Sequence, residues 1–365
     1  MKIIQFIPTI AYGDAVGNDT VALKQAMLNM GYDTEIYAES VVPPLGKETA
    51  TKIEDELPKM EKEDVAILHL STGAELNFSF AKLKCRKIVI YHNITPPKYF
   101  HESDTYIEGI NEWAIEGAKY LSDKVDYCIA DSEYNKKELE NMGFCCPIEV
   151  LPILIPFEDY KKTPSEKIIK KYDDEYTNIV FTGRIVPNKK QENIIAAFYH
   201  YKKYYNPKSR LFLVGSYAEE NIYYRKLRKY VEELKLNDVY FTGHIKFNEI
   251  LAYYNLADIF LCMSEHEGFC VPLVEAMFFK KPILAYNSSA IPYTLGGSGW
   301  LLDTNAPLEV AGAINYTIEH PIFRQKIVDD QVKRLQEFSY ERIRKKFERL
   351  LTSFLEGNNH ENSNS

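Results

Sequence analysis

The sequence predicts an α/β protein with two doubly wound domains, each a parallel sheet with helices on both faces. Three observations support this. The chain has 365 residues, more than the roughly 250–300 residues that a single hydrophobic core usually reaches. Short apolar strands alternate with amphipathic helices, which is typical of parallel sheets. The alternation stops at the proline-containing stretch 149–156 and then starts again, as expected at a domain connection.

The first half contains one series of strands and helices. Strands are predicted at residues 2–7, 34–38, 65–70, 87–92 and 127–130. Helices fit between them, for example at residues 20–30 and 133–142, where Gly31 and Gly143 follow and end the helix.

The second half repeats the pattern. Strands are predicted at residues 178–182, 210–214, 239–242, 258–263 and 282–286. Three of these strands end at Gly183, Gly215 and Gly243, where a missing side chain allows a tight turn and close approach of a ligand. Helices follow at residues 308–318, 322–337 and 340–355.

These patterns predict the domain boundaries. Residues 1–155 form an N-terminal domain and residues 165–335 a C-terminal domain, with an interdomain cleft as the expected small-molecule site. Residues 338–356 form a C-terminal helix. The polar residues 357–365 are predicted to be a disordered tail.

Composition excludes several classes of protein. Residues 1–155 carry 15 basic and 25 acidic residues, and the remainder carries 29 and 27, which argues against nucleic acid as a partner. No run approaches the ~18 apolar residues of a membrane span. The six cysteines show no Cys-x-x-Cys spacing, so we interpret them as free thiols of a cytoplasmic protein rather than as metal ligands.

The most informative segment joins the strand at 258–263 to a helix opened by Pro272. Glu267 is predicted in the turn and Glu275 in the first turn of the helix. Ligands of open α/β sheets bind at the carboxyl ends of strands. There the helix N–H groups suit a phosphate, and the carboxylates suit hydroxyl groups. Phosphate and hydroxyls together indicate a nucleotide sugar.

A second cluster follows the strand at 178–182. Gly183 ends this strand, and Arg184 and Lys189 lie on the loop that leads to the next helix. These two cations beside a glycine turn suit a diphosphate, which Arg grips through its planar fork and Lys as a point charge.

Together the clusters resemble a known family. Residues 183–189, Gly-Arg-Ile-Val-Pro-Asn-Lys, resemble the Gly-Arg-x-x-x-x-Lys segment of family 4 retaining glycosyltransferases. Residues 264–277 resemble their paired-glutamate motif, with seven residues between Glu267 and Glu275. Residues 241–244, Phe-Thr-Gly-His, lie between the two motifs in the same order as in the family. The resemblance implies the GT-B fold, with the donor held mainly by the C-terminal domain, the acceptor on the N-terminal side, and the final helix packing back on the N-terminal domain.

The resemblance also implies roles for individual residues. Arg184 and Lys189 would neutralise the donor diphosphate, Glu275 would accept hydrogen bonds from the ribose, and Glu267 would bind hydroxyls of the transferred sugar. Further donor contacts are expected from Gly183, Gly243, His244, Gly268, Phe269, Cys270 and Val271.

The chemistry expected of this site needs no metal and no other cofactor. Fixed cations and a helix end stabilise the charge that develops on the leaving diphosphate, and the sequence contains no Asp-x-Asp. The resemblance favours attack of the acceptor on the same face from which the diphosphate leaves. The alternative is a covalent nucleophile at Glu267, as in retaining glycosidases.

The N-terminal half adds weaker candidates. His92, at a strand end, resembles a family histidine and would hydrogen-bond the sugar or stabilise positive charge near its ring. Gly17 lies where the family often has paired glycines near the donor phosphate. Asp14 and Asp19 either face the acceptor or belong to a capped turn, in which Asp19 or Thr20 would cap the first helix.

We therefore expect a hexosyltransferase that uses GDP-mannose or a UDP-hexose and a glycan or lipid-linked saccharide acceptor. It would be cytoplasmic, with at most weak peripheral membrane association at the inner face. The alternatives are a sugar phosphorylase of the same fold and a non-catalytic nucleotide-sugar-binding protein. A dehydrogenase is poorly supported, because residues 13–17 lack the Gly-x-Gly-x-x-Gly fingerprint.

Overall fold

The computed structural model describes residues 1–11, 13–54 and 57–357. The chain divides into two compact units. The first comprises Met1–Pro97, Tyr106–Pro156 and the residues from Glu337 onward, and the second comprises Lys98–Thr105 and Phe157–Gln336.

The first unit is built on a parallel sheet. Its strands are β1 (Lys2–Ile10), β2 (Asp33–Val41), β3 (Thr51–Lys52), β4 (Val65–Leu70), β5 (Arg86–Tyr91), β6 (Tyr127–Ala130) and β7 (Ile148–Val150). They are ordered β3-β2-β1-β4-β5-β6-β7. The helices between them are α1 (Ala15–Asn29), α2 (Leu76–Ser79), α3 (Thr105–Leu121) and α4 (Glu133–Asn141).

The second unit repeats this architecture. Its strands are β8 (Thr177–Thr182), β9 (Ser209–Val214), β10 (Val239–Phe241), β11 (Ile259–Cys262), β12 (Ile283–Tyr286) and β13 (Trp300–Leu302). They are parallel and ordered β10-β9-β8-β11-β12-β13. The helices are α5 (Glu166–Tyr172), α6 (Gln191–Tyr204), α7 (Ile222–Glu233), α8 (Phe247–Leu256), α9 (Val271–Phe278), α10 (Ile291–Leu295), α11 (Pro307–Glu319) and α12 (Pro321–Leu335).

Strand order reverses once in each sheet, between β1 and β4 and between β8 and β11. At such a point successive crossovers leave in opposite directions and open a crevice at the carboxyl ends of the strands. The turns after β8 and β11 carry the two sequence motifs, so the topology places both at the switch point of the second unit.

The final helix, α13 (Tyr340–Glu356), belongs to the first unit. Ile343, Phe347 and Leu351 lie on one face at helical spacing and are buried in a core that also contains Leu23 of α1 and Ile88 of β5. Arg86 adds hydrogen bonds from its guanidinium to the last turn of this helix. The predicted fold class, two Rossmann-like parallel-sheet units, is confirmed.

Several local predictions are wrong. Helix α1 begins at Ala15, because Asp14 caps it by accepting a hydrogen bond from the Gly17 N–H at 3.0 Å; neither Asp19 nor Thr20 is the cap. Helix α9 begins at Val271, so Glu275 is its fifth residue and lies beyond the first turn. The short edge strands β3, β7 and β13 were not predicted, since two or three residues carry too little periodicity.

The observed units divide the chain differently from the predicted domains at two places. Residues 157–164, which lie between the predicted domains, belong to the second unit. Residues 98–105, predicted within the N-terminal domain, group with the second unit. Of the predicted disordered tail, residues 358–365 lie outside the described residues. Within the described part of the chain, no helix is long and apolar enough to cross a membrane.

Candidate active site

The loop after β8 and the turn after β11 are joined by buried Asn188. Its carbonyl oxygen accepts a hydrogen bond from the Glu265 N–H at 2.9 Å, and its side-chain amide donates to the His266 carbonyl at 3.0 Å. Two hydrogen bonds through one buried residue fix the relative position of the two motifs. Asn188 was not predicted from the sequence, although it lies in the chain between the two predicted cations, Arg184 and Lys189.

Lys189 and Glu267 form an ion pair within this arrangement. The Lys189 Nζ and Glu267 Oε2 atoms are 2.5 Å apart, and their side chains are 18% and 7% exposed. Burial alone would lower the pKa of Lys189, but the Glu267 carboxylate outweighs it and raises this pKa. The Glu267 N–H also donates to the Ser289 hydroxyl at 2.8 Å, which holds the turn in place. The two predicted residues therefore meet directly.

Arg184 differs from Lys189 in its surroundings. It is exposed, and its backbone carbonyl accepts a hydrogen bond from the Gln191 side chain at 2.9 Å. Among the residues that the structure describes, its guanidinium has no ion-pair partner. Lys189 and Lys190 of this loop are thus paired with carboxylates, whereas Arg184 is available to an anion.

The glycines at the strand ends have a structural role, because the backbone there leaves no room for a side chain or takes a left-handed turn. A Cβ atom on Gly215 would lie 1.9 Å from the Gly183 carbonyl oxygen, and the Gly183 N–H donates to the Val214 carbonyl at 2.9 Å. The ends of β8 and β9 are therefore in direct contact. Gly243 has φ +71°, and the predicted donor residue His244 beside it is exposed.

Glu275 is held by two tyrosines. Tyr160 donates to Oε1 at 2.7 Å and Tyr254 donates to Oε2 at 2.6 Å. Since Tyr254 gives its only proton to the carboxylate, Thr182 must donate to the Tyr254 oxygen, which lies 2.5 Å away. Burial raises the pKa of Glu275, while the tyrosine hydrogen bonds act against this rise.

These tyrosines position the carboxylate that the resemblance assigns to the ribose. A carboxylate oxygen has two lone pairs, so each oxygen of Glu275 can accept one more hydrogen bond. Tyr254 lies on the buried face of α8, where a phenol needs a polar partner. The need of buried Tyr254 for a polar partner could have predicted a polar group nearby. It could not have predicted that this group is the carboxylate of Glu275.

The N-terminus of α9 adjoins the ion pair. Phe269 and Cys270 are buried, and the Phe269 carbonyl accepts a hydrogen bond from Thr294. Cys270 takes a left-handed conformation with φ +69°, which turns the chain from Gly268 into Val271. The first-turn N–H groups of a helix have no intrahelical acceptor, and this end carries positive potential. An anion beside Lys189 would meet that potential.

His92 lies in a buried network of the first unit. Its Nδ1 atom is 2.9 Å from Asp131 Oδ2, and its Nε2 atom is 2.9 Å from His69 Nδ1. His69 Nε2 is 2.9 Å from Gln5 Oε1. The side chains of His92 and Asp131 are 0% and 2% exposed. The participating residues lie on or just after β1, β4, β5 and β6, which are neighbours in the sheet.

The network assigns the protons. The Gln5 amide nitrogen donates to the Thr20 carbonyl at 3.1 Å, so its oxygen must accept from His69 Nε2. A neutral His69 then accepts at Nδ1 from His92 Nε2, which leaves His92 Nδ1 to donate to Asp131. This arrangement favours the protonated, imidazolium form of His92 beside the Asp131 carboxylate. Burial alone would lower the pKa of His92, but Asp131 outweighs it and raises this pKa, while burial and the His92 charge lower that of His69.

Both ring nitrogens of His92 are thus engaged within the first unit. Its predicted contact with a sugar stays a prediction, and such a contact would have to replace the bond to His69. Gln5 and His69 were missed, although each is a polar residue inside an otherwise apolar strand.

The remaining N-terminal candidates have structural partners. Gly17 is buried, and its N–H is bonded to the Asp14 cap. Asp19 is 4% exposed and accepts a hydrogen bond from the Leu154 N–H at 2.7 Å. Burial raises the pKa of Asp19 from 3.8 to about 7. A role for Asp14 and Asp19 toward the acceptor stays a prediction.

The segment 98–105, which was predicted within the N-terminal domain, groups with the second unit. The ring centroids of Tyr99 and His266 are 6.1 Å apart, and the Lys190 ammonium lies 6.0 Å from the Tyr99 ring centroid. An aromatic ring therefore lies next to the residue that precedes Glu267.

Comparisons with known proteins find similarity to glycosyltransferases. The family model for glycosyl transferases of group 1 matches residues 163–334. An uncharacterised glycosyltransferase of Methanocaldococcus jannaschii is 28% identical over 284 residues, 75% of this chain and 71% of that protein. A GDP-mannose-dependent α-(1-6)-phosphatidylinositol monomannoside mannosyltransferase of Mycobacterium tuberculosis is 26% identical over 208 residues, 53% of each chain.

Among solved structures, HepE of Anabaena in complex with UDP-glucose superposes with a TM-score of 0.78 at 17% identity, covering 97% of this chain and 100% of that one. This likeness concerns the fold. The family match covers both motifs, and the geometry above brings them together. The comparisons therefore support a glycosyltransferase of group 1, the GT4-like type of GT-B fold, on the match of residues 163–334 and the similarity of the whole fold.

Proposed function

We propose that this enzyme transfers a hexose from a nucleotide-diphosphate sugar to a hydroxyl of a glycan or lipid-linked saccharide, with retention of configuration and without a metal. The observation that carries the proposal is the Lys189–Glu267 pair of 2.5 Å at the carboxyl ends of β8 and β11, beside exposed Arg184. It puts a cation and a carboxylate, the group expected to bind sugar hydroxyls, beside the N-terminus of α9.

Each group has a task in this reaction. Negative charge grows on the diphosphate as its bond to the sugar breaks. Arg184, Lys189 and the N-terminus of α9 stabilise that charge without reorganising. Glu267 accepts hydrogen bonds from sugar hydroxyls, and Glu275 accepts them from the ribose.

The ion pair also bears on the choice between the two retaining mechanisms. A nucleophilic carboxylate must share an electron pair with the anomeric carbon. Glu267 Oε2 is bonded to an ammonium, which stabilises the carboxylate charge and weakens it as a nucleophile. This supports front-face attack, in which the leaving phosphate takes the proton of the acceptor hydroxyl.

The donor is either GDP-mannose or a UDP-hexose. The mycobacterial relative is named for GDP-mannose, and the HepE structure holds UDP-glucose. Thermal-shift measurements with UDP, GDP and their sugars will choose between them. The true donor is expected to raise the melting temperature in a concentration-dependent way.

The catalytic test uses Lys189→Ala and Glu267→Ala. Each is expected to lower nucleotide release and transfer by about 10²–10³-fold, the usual effect of losing one such group. Lys202→Ala is the matched control, because Lys202 is 20% exposed and pairs with Asp238 at 2.9 Å near the amino ends of the strands. Full activity in both site variants would refute the assignment.

Further readouts separate the alternatives. Retention predicts a product with the anomeric configuration of the donor, measured by NMR. Metal independence predicts equal rates with and without a chelator. Thermal protection by a nucleotide sugar without any nucleotide release would indicate a non-catalytic binding protein. An absorbance band of pyridoxal phosphate in the pure protein would indicate a phosphorylase.

A further inference from the structure

Two buried cysteines lie beside the Lys189–Glu267 pair. Cys262 is 0% exposed, Cys270 is 6% and Glu267 is 7%. One ligand atom from each of these three residues, the two sulfurs and a carboxylate oxygen, lies within 4.8 Å of the others. Sequence spacing gave no hint of this cluster, since Cys262 and Cys270 are eight positions apart.

The backbone brings the three side chains together. Cys262 is the last residue of β11, and Cys270 is the residue before α9. The turn between them is closed by the Glu267 N–H bond to Ser289. Cys270 has φ +69°, a conformation that side chains other than Gly, Asn and Asp seldom adopt. The surroundings hold this uncommon conformation, and with it the position of the thiol.

The donor set is that of a soft or borderline divalent cation. Two sulfurs and one carboxylate oxygen suit Zn²⁺, whereas Mg²⁺ and Ca²⁺ require oxygen ligands. Three protein ligands leave the fourth tetrahedral position for water, whereas a structural zinc site has four protein ligands. We propose that Cys262, Glu267 and Cys270 form a binding site for Zn²⁺.

The charges at the site balance with and without the metal. Without it, the Glu267 carboxylate and the Lys189 ammonium compensate each other beside two neutral thiols. When Zn²⁺ binds, both thiols lose their protons to solvent, so two thiolates and the carboxylate leave the metal centre with one negative charge. Lys189 compensates that charge. The exchange of Zn²⁺ for two protons therefore adds no uncompensated charge to a buried site.

Zinc at this site would affect the proposed transfer, and this consequence rests on the proposed function. The metal recruits Glu267, the carboxylate assigned to the sugar, and draws it away from Lys189. Zn²⁺ and the donor sugar are therefore expected to compete, with zinc acting as an inhibitor.

Binding is tested on the full chain with Co²⁺ as a spectroscopic probe and with Zn²⁺ as competitor. The background is the variant Cys145→Ser/Cys146→Ser, because Cys145 is exposed and Cys146 lies 3.5 Å from Cys128, so these thiols would otherwise compete. One equivalent of Co²⁺ is expected to give a sulfur-to-cobalt charge-transfer band, which Zn²⁺ abolishes at one equivalent.

We introduce Cys262→Ser and Cys270→Ser separately into that background. Each variant is expected to lose the sulfur-to-cobalt band and to bind Zn²⁺ at least about tenfold more weakly. Even changes in residues that only support zinc ligands lower metal affinity or activity 10–100-fold. Their far-ultraviolet circular dichroism must match the background, which excludes misfolding as the cause. A band that persists in both variants, or its absence in the background protein, would overturn the site.

The functional consequence is measured separately. Zn²⁺ is expected to raise the apparent KM for the donor in the background protein and to have at least tenfold less effect in Cys262→Ser, because Cys262 is not among the residues assigned to the donor. If cobalt binds as described but no transfer is detected with any donor, the proposed function fails and the metal site stands. If transfer is active but no band forms, the metal site fails alone.

Discussion

The Lys189–Glu267 pair allows stability and catalysis to be measured in one set of variants. Lys189→Met and Glu267→Gln each remove one charge with little change in volume, and the double variant removes both. The Glu267 side chain is buried and the Lys189 side chain is partly buried, at 7% and 18% exposure. Removing one partner from such a pair usually costs ~3–5 kcal/mol, whereas replacing both is close to neutral.

The exposures predict an asymmetry between the single variants. Lys189→Met leaves the nearly buried Glu267 carboxylate unpaired, so we expect a loss of about 3–5 kcal/mol in the free energy of unfolding. Glu267→Gln leaves an ammonium on a flexible four-carbon stem, which reaches water more easily, and we expect about 2 kcal/mol. The double variant should lie within about 1–2 kcal/mol of wild type, giving a coupling energy of about 3–6 kcal/mol.

Urea unfolding of the four proteins measures this cycle, and nucleotide release measures catalysis. The double variant should regain stability but not activity, because the groups that stabilise the transition state are still missing. Additive losses of stability, or a larger loss for Glu267→Gln than for Lys189→Met, would show that the pair is not buried as the structure describes. Activity that returned with stability would show that the pair is structural only.

Three other changes have defined outcomes. Gly215→Ala would put a Cβ atom 1.9 Å from a backbone oxygen, and we expect it to lower the free energy of unfolding, measured in urea, by about 2–3 kcal/mol. Gly109→Ala is the control and should cause no loss, because a Cβ atom there meets open space. Tyr254→Phe removes a donor to Glu275 at 2.6 Å and should cost about 1–3 kcal/mol; a neutral result would mean that this hydrogen bond contributes nothing. Burial raises the pKa of Asp19 to about 7, so the native state holds this proton more tightly than the unfolded state, and wild-type stability should fall by up to ~4 kcal/mol as the pH rises from 4 to 8. Asp19→Asn should lack this fall, and equal pH profiles of the two proteins would contradict the raised pKa.

The elements and the motifs were predictable from the chain itself. The strands β4 and β6 have the predicted bounds, because buried parallel strands are continuous apolar runs between turn residues. Arg184, Lys189, Glu267 and Glu275 were identified as candidates because they follow strands or open a helix. Such signals depend on residues within one or two turns of each other.

The pairings between distant elements were not predictable in the same way. Lys189 and Glu267 were assigned to different parts of the donor, yet they form an ion pair. The tyrosines that hold Glu275 come from α8 and from the segment before α5. Which strand ends meet depends on the order of strands in the sheet, and a sequence pattern does not record that order.

The same distinction applies in the first unit. A histidine at the end of β5 was visible in the sequence, and its resemblance to a family residue gave it a role toward sugar. The neighbouring strands surround His92 with Asp131 and His69, and the Asp131 carboxylate raises the pKa of His92 against the effect of burial. The sequence by itself determined the two α/β units and the kinds of chemical group at their strand ends, because periodicity and turn chemistry are local. The tertiary structure decided which of those groups pair, are buried or remain available to a ligand, because these properties arise only when strands distant in the chain become neighbours in a sheet.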